Sequence, residues 1–120
     1  MRAPRNQILG GDALKQLETL PDASVDCIIT SPPYFRLRDY GVDGQLGLEE
    51  HVDEWVQELR AVCRALHRVL LREGTLWLNL GDTYSTHPSN GAARKSLLGA
   101  PERILLALIE DGWIVRNKVV

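Results

Sequence analysis

The sequence predicts an α/β fold in which a parallel sheet carries flanking helices, and three observations predict it. A run of strand formers, Val25 to Thr30, stops at Pro32-Pro33. From Glu49 to Arg72 apolar residues recur at helical spacing, and Thr75 to Leu80 then alternates like a second strand. A strand, a helix of about six turns and another strand make a parallel crossover unit.

The elements follow in order. Ile8-Leu9 before Gly10-Gly11-Asp12 predicts a short strand running into a turn, and Ala13 to Leu20 a brief helix with Asp12 as its N-cap. Asp12 has a second reading, since an acidic side chain at a strand end accepts hydrogen bonds from a ligand's amino or hydroxyl groups. Pro21 to Ser24 is a turn, and a buried strand follows over Val25–Thr30. Phe35 to Leu48 holds three glycines, mixed charge and no period, which predicts an ordered loop of the lid or substrate-contact kind.

In the long helix Val52, Trp55, Val56, Leu59, Val62, Cys63, Leu66, Val69 and Leu70 form one apolar stripe, which makes Trp55 a core residue, and Gly74 is expected to close the helix. Arg60, Arg64, Arg68 and Arg72 lie on another face, expected to be solvated with acidic partners such as Glu58. The second strand ends at Gly81-Asp82, so Asn79, Gly81, Asp82 and Tyr84 are predicted near the same sheet edge as the end of the first. Thr83 to Ser96 is polar and aperiodic and reads as mobile. A helix runs from Pro101 to Gly112, and Trp113 to Val120 reads as a further strand.

At 120 residues, with 44% hydrophobic and 25% charged residues, the chain fits one small globular domain. Cys27 and Cys63 read as buried thiols of a reducing compartment. No apolar run of about 18 residues and no hydrophobic stretch behind Met1-Arg2-Ala3-Pro4-Arg5 points to a membrane or to export, so the expected location is the cytoplasm. His51 and His67 lie off the apolar stripe without a Cys or carboxylate cluster, so no metal site is assigned. The net charge of −2 argues against an all-round basic surface. Of the local basic clusters, Arg36 and Arg38 stand beside the Pro-Pro elbow, whereas Arg94-Lys95 and Arg116 with Lys118 read as solvated surface.

The elbow Thr30-Ser31-Pro32-Pro33-Tyr34 is the candidate site. Neither proline donates a hydrogen bond, and each biases the preceding residue to extended backbone. The Ser31 hydroxyl and the neighbouring carbonyls are then acceptors beside the flat ring of Tyr34. Such a set suits a planar group with an exocyclic NH₂, as in a nucleobase flipped from its duplex.

The residues Gly11-Asp12-Ala13-Leu14, Asp26 to Tyr34, the long helix, Gly74 to Tyr84, and Gly112-Trp113 together resemble the N-terminal part of bacterial and phage DNA methyltransferases of the amino-methylating type. The match is to the permuted subgroup, whose catalytic half precedes its cofactor half. The resemblance implies a partial Rossmann-like S-adenosylmethionine-dependent methyltransferase fold, with residues 1–120 as the N-terminal catalytic part of its domain. It implies methyl transfer from S-adenosylmethionine to the exocyclic nitrogen of a flipped base in double-stranded DNA. Cytosine-N4 is favoured by Ser31; the alternatives are adenine-N6, an RNA or protein-glutamine substrate, and an inactive nucleic-acid-binding fragment.

By the same resemblance Ser31, Pro32, Pro33 and Tyr34 are catalytic, Asp12 and Thr30 bind the cofactor, and Arg36 and Arg38 contact DNA. Asn79, Gly81, Asp82 and Tyr84 rank second. The subgroup's Phe-x-Gly-x-Gly cofactor loop and its target-recognition region are both expected beyond residue 120, so activity is expected to need a C-terminal half in cis or in trans.

Overall fold

The computed structural model describes residues 2–120. Its elements in chain order are α1 (Ala13–Glu18), β1 (Val25–Thr30), α2 (Val52–Val69), β2 (Leu70–Leu78), a 3₁₀ turn (Pro88–Asn90) and α3 (Ala100–Glu110). β1 and β2 pair in parallel, as the crossover pattern predicts. The chain divides into two compact units, residues 2–31 with 61–79, and residues 32–60 with 80–120, so α2 contributes its first half to the second unit and its last half to the first.

In the first unit, α1 starts as expected, with the Asp12 carboxylate accepting from the Lys15 amide at 3.1 Å. The crossover helix stops sooner than its apolar pattern suggests. Ala23 and Ser24 donate their amides to the carbonyls of Arg68 and Val69, and Val25 pairs with Leu70, so the chain leaves the helix directly into β2. Gly74 therefore does not cap the helix. It lies inside β2, where the register slips between the pairs Val25–Leu70 and Cys27–Thr75. An added Cβ there would stand 3.0 Å from the Leu71 carbonyl oxygen and 3.1 Å from that of Asp26. Arg68 is not merely solvated: it donates to the Leu20 and Leu17 carbonyls at the end of α1 and pairs with Asp22.

Two expectations about burial fail in this unit. Cys63 is buried, but Cys27 is exposed, and β1 shows half-buried and exposed residues only. Ile29 is 80% exposed and Trp77 59%. Among the described residues the sheet has two strands, so much of its apolar surface has no neighbour to cover it. Ile8 and Leu9 do not form a strand for a related reason: without an adjacent ladder their extended backbone gains no pairing.

The second unit has the larger core, built from Phe35, Val52, Trp55, Val56 and Leu59 together with Leu98, Ala100, Ile104, Ala107 and Leu108. Arg60, expected on a solvated face, instead makes a two-pronged ion pair with Asp111 at the end of α3, its Nε 2.9 Å from the carboxylate. That hydrogen bond raises the Arg60 pKa further. Beyond α3, Gly112 takes a left-handed φ of 95° and Trp113 donates back to Leu108, a glycine-terminated helix end. The following residues do not form the expected strand, since no partner ladder meets them. Lys118 instead bonds Glu102 at 3.1 Å and holds its carboxyl below the usual range.

The polar segment 83–96 is organised rather than loose. Asn90 and Ser85 are buried. The Asn90 side-chain oxygen accepts from the amides of Thr86 and His87, while its amide donates to the Glu50 carbonyl at 2.8 Å. The Ser85 hydroxyl lies 2.8 Å from the carbonyl oxygens of both His87 and Ala92, which share its one proton. Side-chain bonds thus replace the periodicity that a helix or strand would show.

Gly74→Ala is expected to destabilise the chain by about 1–3 kcal/mol, because the Leu70 side chain, 2.7 Å from the new methyl group, and two carbonyl oxygens must yield. Gly10→Ala, with no atom within 4 Å of its added Cβ, should stay within about 0.5 kcal/mol of the wild type. Urea unfolding of both variants measures the difference.

Candidate functional site

In the first unit, β1 delivers Thr30 and Ser31 to its C-terminal end. Asn79, just past β2, donates its backbone amide to the Thr30 carbonyl at 2.9 Å, and its side-chain amide reaches Ser31 Oγ at 3.4 Å. The structure thus joins Ser31 to one of the second-rank residues. Ser31 is exposed, and its hydroxyl keeps both its proton and a lone pair for a ligand. Asp12 caps α1 through one carboxylate oxygen, and the other has no hydrogen bond among the described residues.

In the second unit, the three carbonyls of Pro33, Tyr34 and Phe35 are individually constrained. The Pro33 oxygen accepts from the indole Nε1 of Trp55 at 3.0 Å. The Phe35 oxygen accepts from Thr83 Oγ1 at 2.8 Å. The Tyr34 oxygen lies so close to Gly47 that a Cβ on that residue would be 2.9 Å away, and Gly47 holds a φ of 109°. Among the described residues the Pro32 oxygen has no donor. The elbow therefore offers fewer open acceptors than its sequence suggests, because Pro33 is already engaged.

The half-buried Tyr34 ring rests against Gly81: a Cβ there would stand 2.7 Å from Tyr34 Cε2 and 3.1 Å from Cδ2. Asp82, by contrast, turns to α3 and accepts from the amides of Gly99 at 2.9 Å and Ala100 at 3.1 Å. Its carboxylate satisfies donors that the first turn of a helix otherwise leaves unpaired. Tyr84 bridges to Leu97 and is largely exposed, without a hydrogen bond to the elbow residues.

Arg36 takes a left-handed φ of 52°, donates its amide to Gly47 and points its guanidinium at the carbonyl of Glu49, 3.1 Å away. Its Nη1 thereby helps to hold the loop. Arg38 contributes its carbonyl to Gln45 and leaves its side chain exposed. Sequence reasoning missed the roles of Trp55, Thr83 and Gly47. A tryptophan on a helical stripe signals burial, and only its buried N–H, which must find an acceptor, hinted at more. No group of three or more His, Cys, Asp or Glu able to hold a metal ion occurs among the described residues, nor does any helix long and apolar enough to cross a membrane.

Residues 25–120 match the DNA methylase family. Type II methyltransferase M.SfiI of Streptomyces fimbriatus is 44% identical over 92% of this chain and 28% of its own length. Type II methyltransferase M.Cfr9I of Citrobacter freundii is 40% identical over 92% of this chain and 44% of its own. The chain therefore spans less than half the length of either relative. Among solved structures, the cytosine-N4-specific PvuII DNA methyltransferase superposes with a TM-score of 0.61 at 22% identity, over 84% of this chain and 32% of that one, a likeness of fold.

Asp82→Ala should cost about 0.5–2 kcal/mol, the range for losing a side-chain acceptor at a helix start. The check is the urea midpoint. An unchanged midpoint would return Asp82 to the ligand-binding candidates.

Proposed function

Because the chain belongs to the DNA methylase family, we propose that it is the N-terminal catalytic part of an enzyme that methylates the exocyclic amino nitrogen of a base flipped from duplex DNA. The observation that carries this reading is the elbow's acceptor pattern. In its unit the Pro33 carbonyl is occupied by Trp55 whereas the Pro32 carbonyl has no donor among the described residues, and in the other unit the Ser31 hydroxyl, which accepts from Asn79, keeps a second lone pair. An amino nitrogen conjugated to a base ring is a poor nucleophile, since its lone pair is delocalised. Two acceptors that take its N–H groups favour a more tetrahedral nitrogen and orient the lone pair. Tyr34, with one side of its ring against Gly81, offers its remaining surface for stacking.

S-adenosylmethionine is the proposed methyl donor, and it supplies an electrophilic methyl group when bound. The residues present fit part of it. Asp12 keeps one carboxylate oxygen beyond the one that caps α1, and together with Thr30 it would hold the adenosine portion. The chain's one phenylalanine, Phe35, is followed by Arg36-Leu37-Arg38, so a Phe-x-Gly-x-Gly loop for the methionine end would come from a C-terminal half in cis or in trans. Arg38 is the better candidate for a DNA phosphate, since Arg36 already binds loop carbonyls. Cytosine-N4 is the favoured target, supported by Ser31 at the first elbow position and by the stated specificity of the PvuII enzyme. The proposed setting is the cytoplasm, where the DNA lies.

In the enzyme completed by its C-terminal half, Ser31→Ala and Tyr34→Ala should each lower methyl transfer by about 10²–10³-fold, the usual effect of removing one preorganised contact. Cofactor affinity should stay close to wild type. Radiolabel transfer and calorimetry measure the two quantities, and nucleoside analysis of the product identifies the base. Full activity in both variants would refute the elbow assignment, and methyladenine without methylcytosine would reassign the target.

The 120 residues alone should transfer no methyl group to duplex DNA, since positioning the reactants is worth about 7–11 kcal/mol of barrier. Activity measured for the purified chain by itself would contradict this.

A further inference from the structure

The plane of the Tyr34 ring is the property on which stacking depends, and the second unit contains the means to set it. A ring's orientation follows from its side-chain torsions and from the peptide that precedes it. That peptide's carbonyl, on Pro33, accepts the Trp55 indole N–H at 3.0 Å. Trp55 is fully buried, and its neighbours on the stripe, Val52, Val56 and Leu59, are also buried, so the donor is held by packing. The ring itself is stopped by Gly81, which has no Cβ to push it away. Peptide and ring are thereby constrained from two separate segments of the chain.

We infer that Trp55 is a positioning residue whose indole N–H sets the Pro33–Tyr34 peptide and, through it, the seat of the Tyr34 ring on Gly81. A purely packing role requires only the shape of the indole. The hydrogen bond requires the N–H. The two roles separate when the shape is kept and the donor removed. The relevance of the ring's seat to catalysis rests on the proposed stacking role of Tyr34, whereas the seat itself is measurable in this chain without DNA or cofactor.

The test is nuclear magnetic resonance of the 120-residue chain. In the wild type the Gly81 α-proton facing the ring should carry a ring-current shift, identified by its loss in Tyr34→Leu. Replacing Trp55 by benzothienylalanine, which keeps the bicyclic shape and lacks the N–H, should move that resonance toward the Tyr34→Leu value. Trp55→Phe should do the same if it folds, and 4-fluorotryptophan, which retains the N–H, should restore the wild-type position. A Gly81 resonance unmoved by benzothienylalanine, or absent from its expected place in the wild type, would overturn the inference.

The outcome is separable from that of the proposed function. A shifted Gly81 resonance combined with full methyl transfer by Tyr34→Ala would leave Trp55 as the residue that seats the ring and remove the ring from catalysis. An unmoved resonance combined with inactive Tyr34→Ala would do the reverse. In the completed enzyme, with both readings correct, the benzothienylalanine variant should lose up to about 10²-fold in kcat, as expected of a displaced reacting group, with cofactor affinity unchanged.

Discussion

Burial of one face of α2 is the constraint on which the other elements depend. Val52, Trp55, Val56 and Leu59 belong to the core of the second unit, and Cys63, Leu66 and Val69 are buried in the first. A stripe this long obliges the chain to supply apolar partners around a single helix. It also puts Trp55 inside, and a buried indole N–H is costly unless bonded. The Pro33 carbonyl satisfies it. The packing of a core helix and the backbone of the elbow are therefore linked by one hydrogen bond.

That coupling changes what the elbow can offer. A Pro-Pro sequence lacks two donors, which leaves its surroundings rich in acceptors. The fold then uses some of them, Pro33 for Trp55 and Phe35 for Thr83, and leaves Pro32 without a donor among the described residues.

Charged side chains show the same economy. Arg60 meets Asp111, Arg68 binds the end of α1, Arg36 closes its own loop, and Asp82 serves the start of α3. Each was a candidate for solvent or ligand in the sequence. Each bonds to backbone groups or to a partner distant in the chain. Arg38 has an exposed side chain, and the second carboxylate oxygen of Asp12 has no hydrogen bond among the described residues.

The sequence by itself determined the elements whose causes are local. The stripe of α2, the Asp12 cap of α1, proline and glycine at the two ends of α3, and the Pro-Pro stop after β1 all depend on residues within a few positions of one another. The family resemblance was legible for the same reason, being carried by short contiguous runs. Tertiary structure decided the rest. It ended α2 at Val69 by pairing Val25 with Leu70 and by directing the Ala23 and Ser24 amides to the last helical carbonyls, and it placed Gly74 inside a strand. It ordered residues 83–96 through Ser85 and Asn90, left Cys27 exposed, and withheld strand structure from Ile8-Leu9 and from Trp113 onward. Those outcomes depend on which backbone donors and acceptors find partners across long separations, and periodicity along a single chain carries no record of such pairings.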